Sequence, residues 1–177
     1  MIFERTAIPG AWLAGLEKFE DHRGYFARAW CKREFEEHGI SEAPVQMNHS
    51  YNRYKHTLRG FHYQIEPWQE AKLLRCIRGA VHDVLVDLRP ESDTYLQHIS
   101  VVLSETNHRM LLVPKGCANA FLTLQDHTEV TYLVSQFYTP EAERGLRWND
   151  PALDIDWPLD KPPIISDKDN SWPYMHH

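Results

Sequence analysis

The segment Thr57-Leu58-Arg59-Gly60-Phe61-His62-Tyr63-Gln64 is the stretch from which the fold of this chain can be predicted. Successive side chains of a β-strand point to opposite faces, so a strand here would place Gly60 and His62 on one face and Arg59 and Phe61 on the other. A glycine inside a strand indicates that a ligand or another backbone approaches closely. Taken alone, the pattern favours a half-buried strand with one satisfied histidine.

Short strands separated by polar turns are predicted on both sides of this segment, across residues 45–138. The best defined are residues 71–78, 81–88, 96–103, 109–113 and 130–137. Strands at this regular spacing, without helices between them, are typical of an antiparallel sandwich or barrel. We therefore predict an all-β fold.

Two other regions complete this prediction. Residues 31–39 are the best helix candidate, which is short and ends at Gly39. Residues 139–177 hold six of the eleven prolines, and we expect them to wrap around the barrel as a tail.

The composition narrows the class of protein. At 177 residues the chain is long enough for one domain with one substantial core, which we expect to span residues 1–177. The net charge of −6, without a basic stripe, makes nucleic acid an unexpected partner. Cys31, Cys76 and Cys117 are unclustered, which favours reduced thiols in the cytoplasm over a disulfide scaffold. No apolar run approaches the length of a membrane span, and the first residues lack the apolar core of a signal peptide.

Polar residues interrupt strands that otherwise look apolar. Lys72 precedes two leucines, Asp83 stands in a valine-rich run, and Tyr132 lies between Thr131 and Leu133. Charged groups inside a strand are costly unless they are paired or used, and in a small barrel they would converge on one cavity. With His62 they offer the groups needed for proton abstraction beside a carbonyl: a base, a cation for the enolate oxygen, and an acid.

A metal site is the competing interpretation for a histidine in a barrel. Such a site would combine a His-x-His pair, a carboxylate and a further histidine across the cavity. Here the segment after His62 has no second histidine, and the turn that follows Pro114 reaches Asn119. We therefore predict no metal. The absence of a Gly-x-Gly-x-x-Gly or Walker loop also argues against a bound nicotinamide cofactor and against a phosphoryl-transfer site.

A set of short motifs, in order and at compatible spacing, resembles the dTDP-4-dehydrorhamnose 3,5-epimerase family of cupins over nearly the whole chain. The matching motifs are Asp21-x-Arg23-Gly24-x-Phe26, Gln46-x-Asn48-x-Ser50, Leu58-Arg59-Gly60-x-His62-x-Gln64, Lys72, Gly79-x-x-x-Asp83-x-x-x-Asp87-x-Arg89, Pro114-x-Gly116-x-Ala118, Tyr132, Tyr138, Trp148-Asn149-Asp150-Pro151 and Ser166-x-Lys168-Asp169. The resemblance implies an antiparallel jelly-roll barrel with short peripheral helices, a homodimer, and no cofactor. It also implies inversion of C3, C5 or both in a nucleotide-linked 4-keto-6-deoxyhexose.

The resemblance assigns five catalytic roles. His62 matches the base that removes the proton beside the ketone, and Asp169 matches the carboxylate that holds its far ring nitrogen. Lys72 would bind the C4 oxygen as it becomes an enolate, and Asp83 would orient Lys72 or His62. Tyr132 matches the acid that returns a proton to the opposite face. The ordinary alternatives are a solvated tail charge for Asp169, an edge-strand lysine, a surface aspartate and a core tyrosine.

The resemblance also implies substrate-binding residues. Arg23 and Arg59 match residues that hold the diphosphate, for which a planar guanidinium is suited. Phe26 and Tyr138 would line the base or sugar end, and in the family the N-terminal segment reaches the neighbouring subunit's site. The weaker assignments to sugar and nucleotide contacts are Gln46 and Asn48. Surface arginines and core aromatics are the corresponding alternatives.

Two positions depart from the family pattern. Asn119 stands where the family usually has a histidine near the reacting end of the sugar, and an amide cannot carry a positive charge. We therefore expect an altered substrate, or one inversion instead of two. Arg28 stands where a glutamate near the nucleotide base is usual, so CDP, GDP and UDP carriers stay open beside dTDP.

Two further functions compete with an epimerase. A 3,4-ketoisomerase acting on the same substrates would form the same enolate but move the carbonyl. A non-catalytic sugar-nucleotide-binding cupin would bind without exchanging hydrogen, and Asn119 is the feature that favours it.

Overall fold

The computed structural model describes residues 1–175, and the terminal His176 and His177, to which the sequence analysis gave no role, lie outside this range. The strands are β1 Ile2–Arg5, β2 Trp12–Gly15, β3 Lys18–Asp21, β4 Gly24–Ala27, β5 Gln46–Asn52, β6 Leu58–Gln64, β7 Lys72–Arg78, β8 Ala80–Asp87, β9 His98–Ser104, β10 Met110–Val113, β11 Cys117–Thr123, β12 Thr128–Val134 and β13 Glu143–Gly145. The helices are α1 Lys32–Glu36 and α2 Asp167–Asn170, with a single 3₁₀ turn at Pro140–Ala142.

Two antiparallel sheets form the body of the fold. One has six strands in the order β1-β2-β10-β7-β12-β5, and the other has five in the order β13-β6-β11-β8-β9. The hairpin β3–β4 forms a separate two-stranded sheet. The predicted all-β, jelly-roll architecture with short peripheral helices is confirmed.

The core between the sheets follows the two-residue periodicity of the strands. Val81 and Leu85 of β8 pack there against Leu74 of β7 and Val130 of β12. Asp83 lies between these two β8 residues on the same face, and it is fully buried. This alternation places the polar residues singled out in the sequence on the inside of the fold.

The C-terminal segment covers the outer face of the five-stranded sheet. Val84 and Val86 of β8 point outward into a cluster with Leu153 and Trp157 of this segment. The predicted wrapping tail is therefore present, and it includes β13, which pairs with β6. The tail also contains α2 near its end, so the packing of the tail decides where the side chains of that helix lie.

The predicted helix at residues 31–39 is present but shorter. Residue Cys31 precedes α1 in extended conformation, and Phe35 buries its ring against the outer face of the six-stranded sheet. Gly39, with φ of +77°, follows the helix in the left-handed conformation that glycine adopts easily. None of the helices in residues 1–175 is long and apolar enough to cross a membrane.

The strict alternation predicted for β6 is wrong at its centre. His62 pairs with Asn119 of β11, whereas Arg59 pairs with Phe121, so three steps on β6 match two on β11. This bulge changes the side-chain parity. As a result, Arg59 and His62 face the same cleft.

Gly60 lies at this irregularity. With φ of +108°, a Cβ atom at this residue would lie 2.6 Å from the carbonyl oxygen of Asn119 and 2.9 Å from Cα of Ala120. The prediction that another backbone approaches this glycine closely is therefore confirmed, and the approaching strand is β11.

Candidate active site

A cleft opens between the two sheets where the polar interior residues meet. It consists of two adjoining hollows of about 320 and 530 Å³. Both are lined by His62 from the five-stranded sheet and by Lys72 and Tyr132 from the six-stranded sheet. The imidazole, the ammonium and the phenol thus share one cleft.

His62 is paired with a buried carboxylate. Its Nε2 lies 2.7 Å from Oδ1 of Asp169, and the backbone N–H of Gly60 donates to Oδ2 of Asp169 at 3.1 Å. Burial alone would raise the pKa of Asp169, but the hydrogen bond from His62, its charge and the Gly60 amide together lower it. An ionised Asp169 favours the tautomer with a proton on Nε2, which leaves Nδ1 of His62 able to accept one.

Asp169 reaches the cleft because α2 is fixed at its first turn. Ser166 caps the helix, and its Oγ accepts a hydrogen bond from the Asp169 N–H at 3.1 Å. Asp169 is only 5% exposed, which excludes the alternative of a solvated tail charge. The sequence alone contained no local signal of this burial.

Lys72 at the start of β7 is surrounded by acceptors. Its Nζ lies 3.1 Å from the carbonyl oxygen of His62, 3.3 Å from Oδ1 of Asn119 and 3.3 Å from Oε1 of Glu70. The residue is 7% exposed, so it is not a solvated lysine at the edge of a sheet. Asn119 therefore acts on Lys72 as an acceptor.

Asp83 is the most deeply buried of the predicted catalytic residues. Neither carboxyl oxygen has a hydrogen-bond partner among the described residues, and burial raises the pKa of Asp83 to about 8. The nearby Asn119 amide and the charge of Lys72 oppose this rise in pKa without cancelling it. The alternative of a surface charge is wrong, and because Asp83 hydrogen-bonds to neither Lys72 nor His62, its orienting role stays a prediction.

Tyr132 enters the cleft from β12, where it lies opposite Asn48 of β5 and Leu74 of β7. Burial raises the pKa of Tyr132, and the negative charge of Glu70 raises it further. A phenol in this setting stays protonated at neutral pH and can donate its proton.

The residues expected to bind substrate line both hollows. Arg59 and Asn119 line the smaller one, and the larger one is lined by Gln46, Asn48 and Tyr138. All five were predicted from the sequence. The Arg59 guanidinium donates through Nε to Oδ1 of Asn52 at 2.7 Å, which fixes its direction. This supporting role of Asn52 was not predicted.

Three predicted binding residues do not reach this cleft within one protomer. Arg23 and Phe26 lie on the β3–β4 hairpin, where the Arg23 side chain is 79% exposed and Phe26 is 73% exposed. Arg28 follows the hairpin and pairs with Glu34 at 2.8 Å. The role predicted for Arg23 and Phe26 in the site of a neighbouring subunit stays a prediction.

Some cleft residues were missed by the sequence analysis. Glu70 lies two residues before Lys72, so the period of a strand could have placed both on the same face. Glu143, which accepts a hydrogen bond from Tyr138 Oη at 2.8 Å, comes from the tail strand β13 and had no local signal. Among residues 1–175, no group of three or more His, Cys, Asp or Glu side chains is arranged to hold a metal ion.

A jelly roll with a His–Asp pair, a buried lysine and a phenol in one cleft has the groups that an isomerase needs to remove and return a proton beside a carbonyl. Comparisons with known proteins identify the family. The family described as dTDP-4-dehydrorhamnose 3,5-epimerase matches residues 5–177. The chain belongs to this family, and its function is epimerisation of a nucleotide-linked 4-keto-6-deoxy sugar.

The similarity extends over nearly the whole chain. A dTDP-4-dehydrorhamnose 3,5-epimerase of Pseudomonas aeruginosa is 44% identical over 168 residues, which cover 93% of this chain and 91% of that protein. The crystal structure of the Bacillus anthracis enzyme with TDP and PPi bound has a TM-score of 0.95 and 41% identity, and the match covers 98% of this chain and 99% of that one. The Legionella pneumophila enzyme in complex with dTDP-4-keto-L-rhamnose has a TM-score of 0.92 and 34% identity, and the match covers 98% and 92% of the two chains.

Proposed function

We propose that this protein inverts C3 and C5 of a dTDP-linked 4-keto-6-deoxyhexose through an enolate, with His62 as base and Tyr132 as acid. The observation that carries the proposal is the cleft in which the His62–Asp169 pair, Lys72 and Tyr132 meet. TDP and a dTDP-4-keto sugar bound to structurally similar relatives support the choice of substrate.

The first step is removal of a proton from the carbon beside the C4 ketone. Nδ1 of His62 takes this proton, the electron pair of the C–H bond forms the C=C bond of the enolate, and the carbonyl π electrons move to O4. The ionised Asp169 stabilises the imidazolium that forms. The ammonium of Lys72 stabilises the negative charge on O4.

The second step returns a proton to the opposite face of the same carbon. Tyr132 comes from the sheet opposite His62, which supports a donor on the other side of the sugar ring. Its O–H bond breaks, the proton joins the carbon, and the carbonyl re-forms at C4. After the first inversion His62 releases its proton to solvent and Tyr132 takes one up from solvent. C3 and C5 both lie beside C4, so the restored groups then serve the second centre when the sugar turns in the cleft.

A single inversion is the second candidate, and Asn119 is the residue that favours it. Its amide oxygen accepts from Lys72, so it adds no positive charge to the site. One centre would then be deprotonated and not the other. Product stereochemistry distinguishes these two outcomes.

The site is proposed to be completed by a second copy of the chain. Phe19 and Phe26 pair across the β3–β4 hairpin and are 65% and 73% exposed. Exposed aromatic side chains beside Arg23 are suited to a nucleotide or to a partner subunit. We propose a homodimer in which this hairpin borders the neighbouring cleft.

The proposed reaction is tested by hydrogen exchange in deuterium oxide. Incubation with a dTDP-4-keto-6-deoxyhexose should introduce deuterium at C3 and C5, and NMR of the product should show both inversions. Deuterium at one carbon alone supports the single inversion. A ketone that moves to C3 identifies a 3,4-ketoisomerase, and binding without any exchange identifies a non-catalytic protein.

The nucleotide is tested by the same exchange with dTDP, CDP, GDP and UDP sugars. We expect the dTDP sugar to be the best substrate. A preference for another base would instead support the alternative raised by Arg28.

A further inference from the structure

Glu70 is a buried carboxylate in the cleft to which the proposed mechanism gives no role. Its side chain is 11% exposed, and its Oε1 lies 3.3 Å from Nζ of Lys72. Its second oxygen, Oε2, accepts from Nε2 of Gln64 at 3.5 Å. A carboxylate in such a place is costly unless its charge is paired, and here the partner is a proposed catalytic group.

The acceptors around Lys72 show which group balances its positive charge. An ammonium has three N–H donors, and the acceptors around Nζ are the His62 carbonyl, the Asn119 amide oxygen and Glu70. The first two are neutral. Glu70 is therefore the group among these three that balances the positive charge of the buried lysine.

Glu70 and Tyr132 both line the larger of the two hollows. After burial, the charge of Glu70 is the largest cause that raises the pKa of Tyr132. Glu143 of β13 acts in the same direction, whereas Arg59 of β6 and the side chain of Asn48 oppose it. A carboxylate near a phenol disfavours the phenolate because like charges repel.

We propose that Glu70 is a positioning residue whose carboxylate holds the Lys72 side chain at the cleft and keeps Tyr132 a neutral proton donor when the solution becomes alkaline. The proposal rests on the proposed function, in which Lys72 stabilises the enolate and Tyr132 supplies a proton. It assigns Glu70 a charge-dependent role that a packing residue would not have.

The test is Glu70→Gln, which keeps the shape of the side chain and removes its charge. The absorbance of tyrosinate is measured as a function of pH in Glu70→Gln without substrate. The same titration of the double variant Glu70→Gln/Tyr132→Phe is then subtracted, and the difference is the signal of Tyr132. We expect Tyr132 to ionise at lower pH in Glu70→Gln than in the wild type. The wild-type signal of Tyr132 is obtained by subtracting the titration of Tyr132→Phe. The alkaline limb of the kcat profile should move to lower pH.

Two further variants complete the test. Glu91→Gln, on an exposed turn, should leave both pH profiles unchanged. Glu70→Asp keeps a negative charge and should keep the alkaline limb closer to the wild-type position than Glu70→Gln does.

Several results would overturn the proposal. One is a Tyr132 titration in Glu70→Gln that is unchanged from the wild type. Another is a kcat of Glu70→Gln that is lower than the wild-type kcat by the same factor at every pH. A third is an equal shift of the alkaline limb in Glu70→Asp and in Glu70→Gln. If Glu70→Gln does not fold, as judged by circular dichroism, Glu70→Ala replaces it, and Tyr132 must again ionise at lower pH than in the wild type and in Glu70→Asp. The titration needs no substrate, whereas failure of the proposed function appears as absence of exchange in the wild-type protein.

Discussion

At the scale of single residues, the surroundings shift the pKa values of two aspartates in opposite directions, downward for Asp169 and upward for Asp83. Asp169 accepts hydrogen bonds from His62 and Gly60, which stabilise its charged form. Asp83 has no such donor among the described residues, and its charged form is destabilised by burial. The difference follows from the surroundings, since the two side chains are chemically identical.

Asp169→Asn should reduce deuterium exchange at C3 and C5 by about 10²- to 10⁴-fold, because the amide no longer selects the tautomer of His62 or stabilises the imidazolium. The measurement is NMR of the substrate in deuterium oxide. Asp167→Asn, an exposed change on the same helix α2, serves as the control. Exchange at the wild-type rate in Asp169→Asn would contradict the base assigned to His62.

Asp83 should make the protein less stable as pH rises. Its pKa is about 8 in the fold against an ordinary 3.8, so between these values the folded state holds a proton that the unfolded chain releases. The contribution is fully present below about pH 4 and is lost as pH rises toward 8.

Asp83→Asn should therefore flatten the dependence of unfolding free energy on pH between about pH 5 and 8, as measured by urea denaturation. Asp93→Asn, an exposed change, should leave the wild-type slope in place. An unchanged slope in Asp83→Asn would show that Asp83 does not hold the proton.

At the scale of the elements, the bulge in β6 decides which side chains enter the cleft. A regular strand would place Arg59 and His62 on opposite faces, whereas the extra residue brings both to the cleft. Leu58 and Phe61 both pack on the other face, beneath the tail. Gly60 permits this arrangement because β11 leaves no room for a Cβ atom.

Gly60→Ala should destabilise the protein by about 2 kcal/mol or more, because the added methyl contacts the Asn119 and Ala120 backbone and φ is positive. Gly24→Ala is the matched control, since Gly24 also has positive φ, +128°, but nothing lies within 4 Å of the position that its added methyl would take. The difference in unfolding free energy between the two variants measures the close contact alone. Equal losses would refute the packing argument.

At the scale of the whole molecule, the proposed homodimer predicts that Arg23 on the exposed β3–β4 hairpin of one chain completes the site of the other. We expect Arg23→Ala and His62→Ala to be nearly inactive separately. In a mixed dimer, the His62→Ala chain would supply Arg23 to the intact His62 of its partner.

Equal amounts of the two variants, unfolded and refolded together, should recover about a quarter of wild-type activity. Random pairing makes half of the dimers mixed, and each mixed dimer has one complete site of two. The measurement is deuterium exchange before and after mixing, with sedimentation velocity to establish the dimer. Activity that does not rise on mixing would contradict a shared site.

Much of the fold could be predicted because most of its strands are recognisable from the local pattern of apolar and polar residues. The strands around β7, β8 and β12 alternate or form apolar runs, and their boundaries differ from the predicted ones by a few residues. The polar interruptions at Lys72, Asp83 and Tyr132 pointed to an interior cleft, and the structure brings His62, Lys72 and Tyr132 together there. The roles of these side chains in the reaction stay predictions.

The sequence by itself determined the all-β class, the interior polar set and the family, because a period of two and a series of short motifs are properties of the chain. Only the tertiary structure decided that Arg59 shares a face with His62, that Asp169 is buried and that Glu70 pairs with Lys72. The first two depend on groups far apart in the chain: β11 against Gly60, and α2 against β6. The Glu70–Lys72 pair is local in the chain, but its position in the cleft depends on how the two sheets pack against each other. Local pattern cannot encode such contacts, since register shifts and burial arise only when distant segments pack.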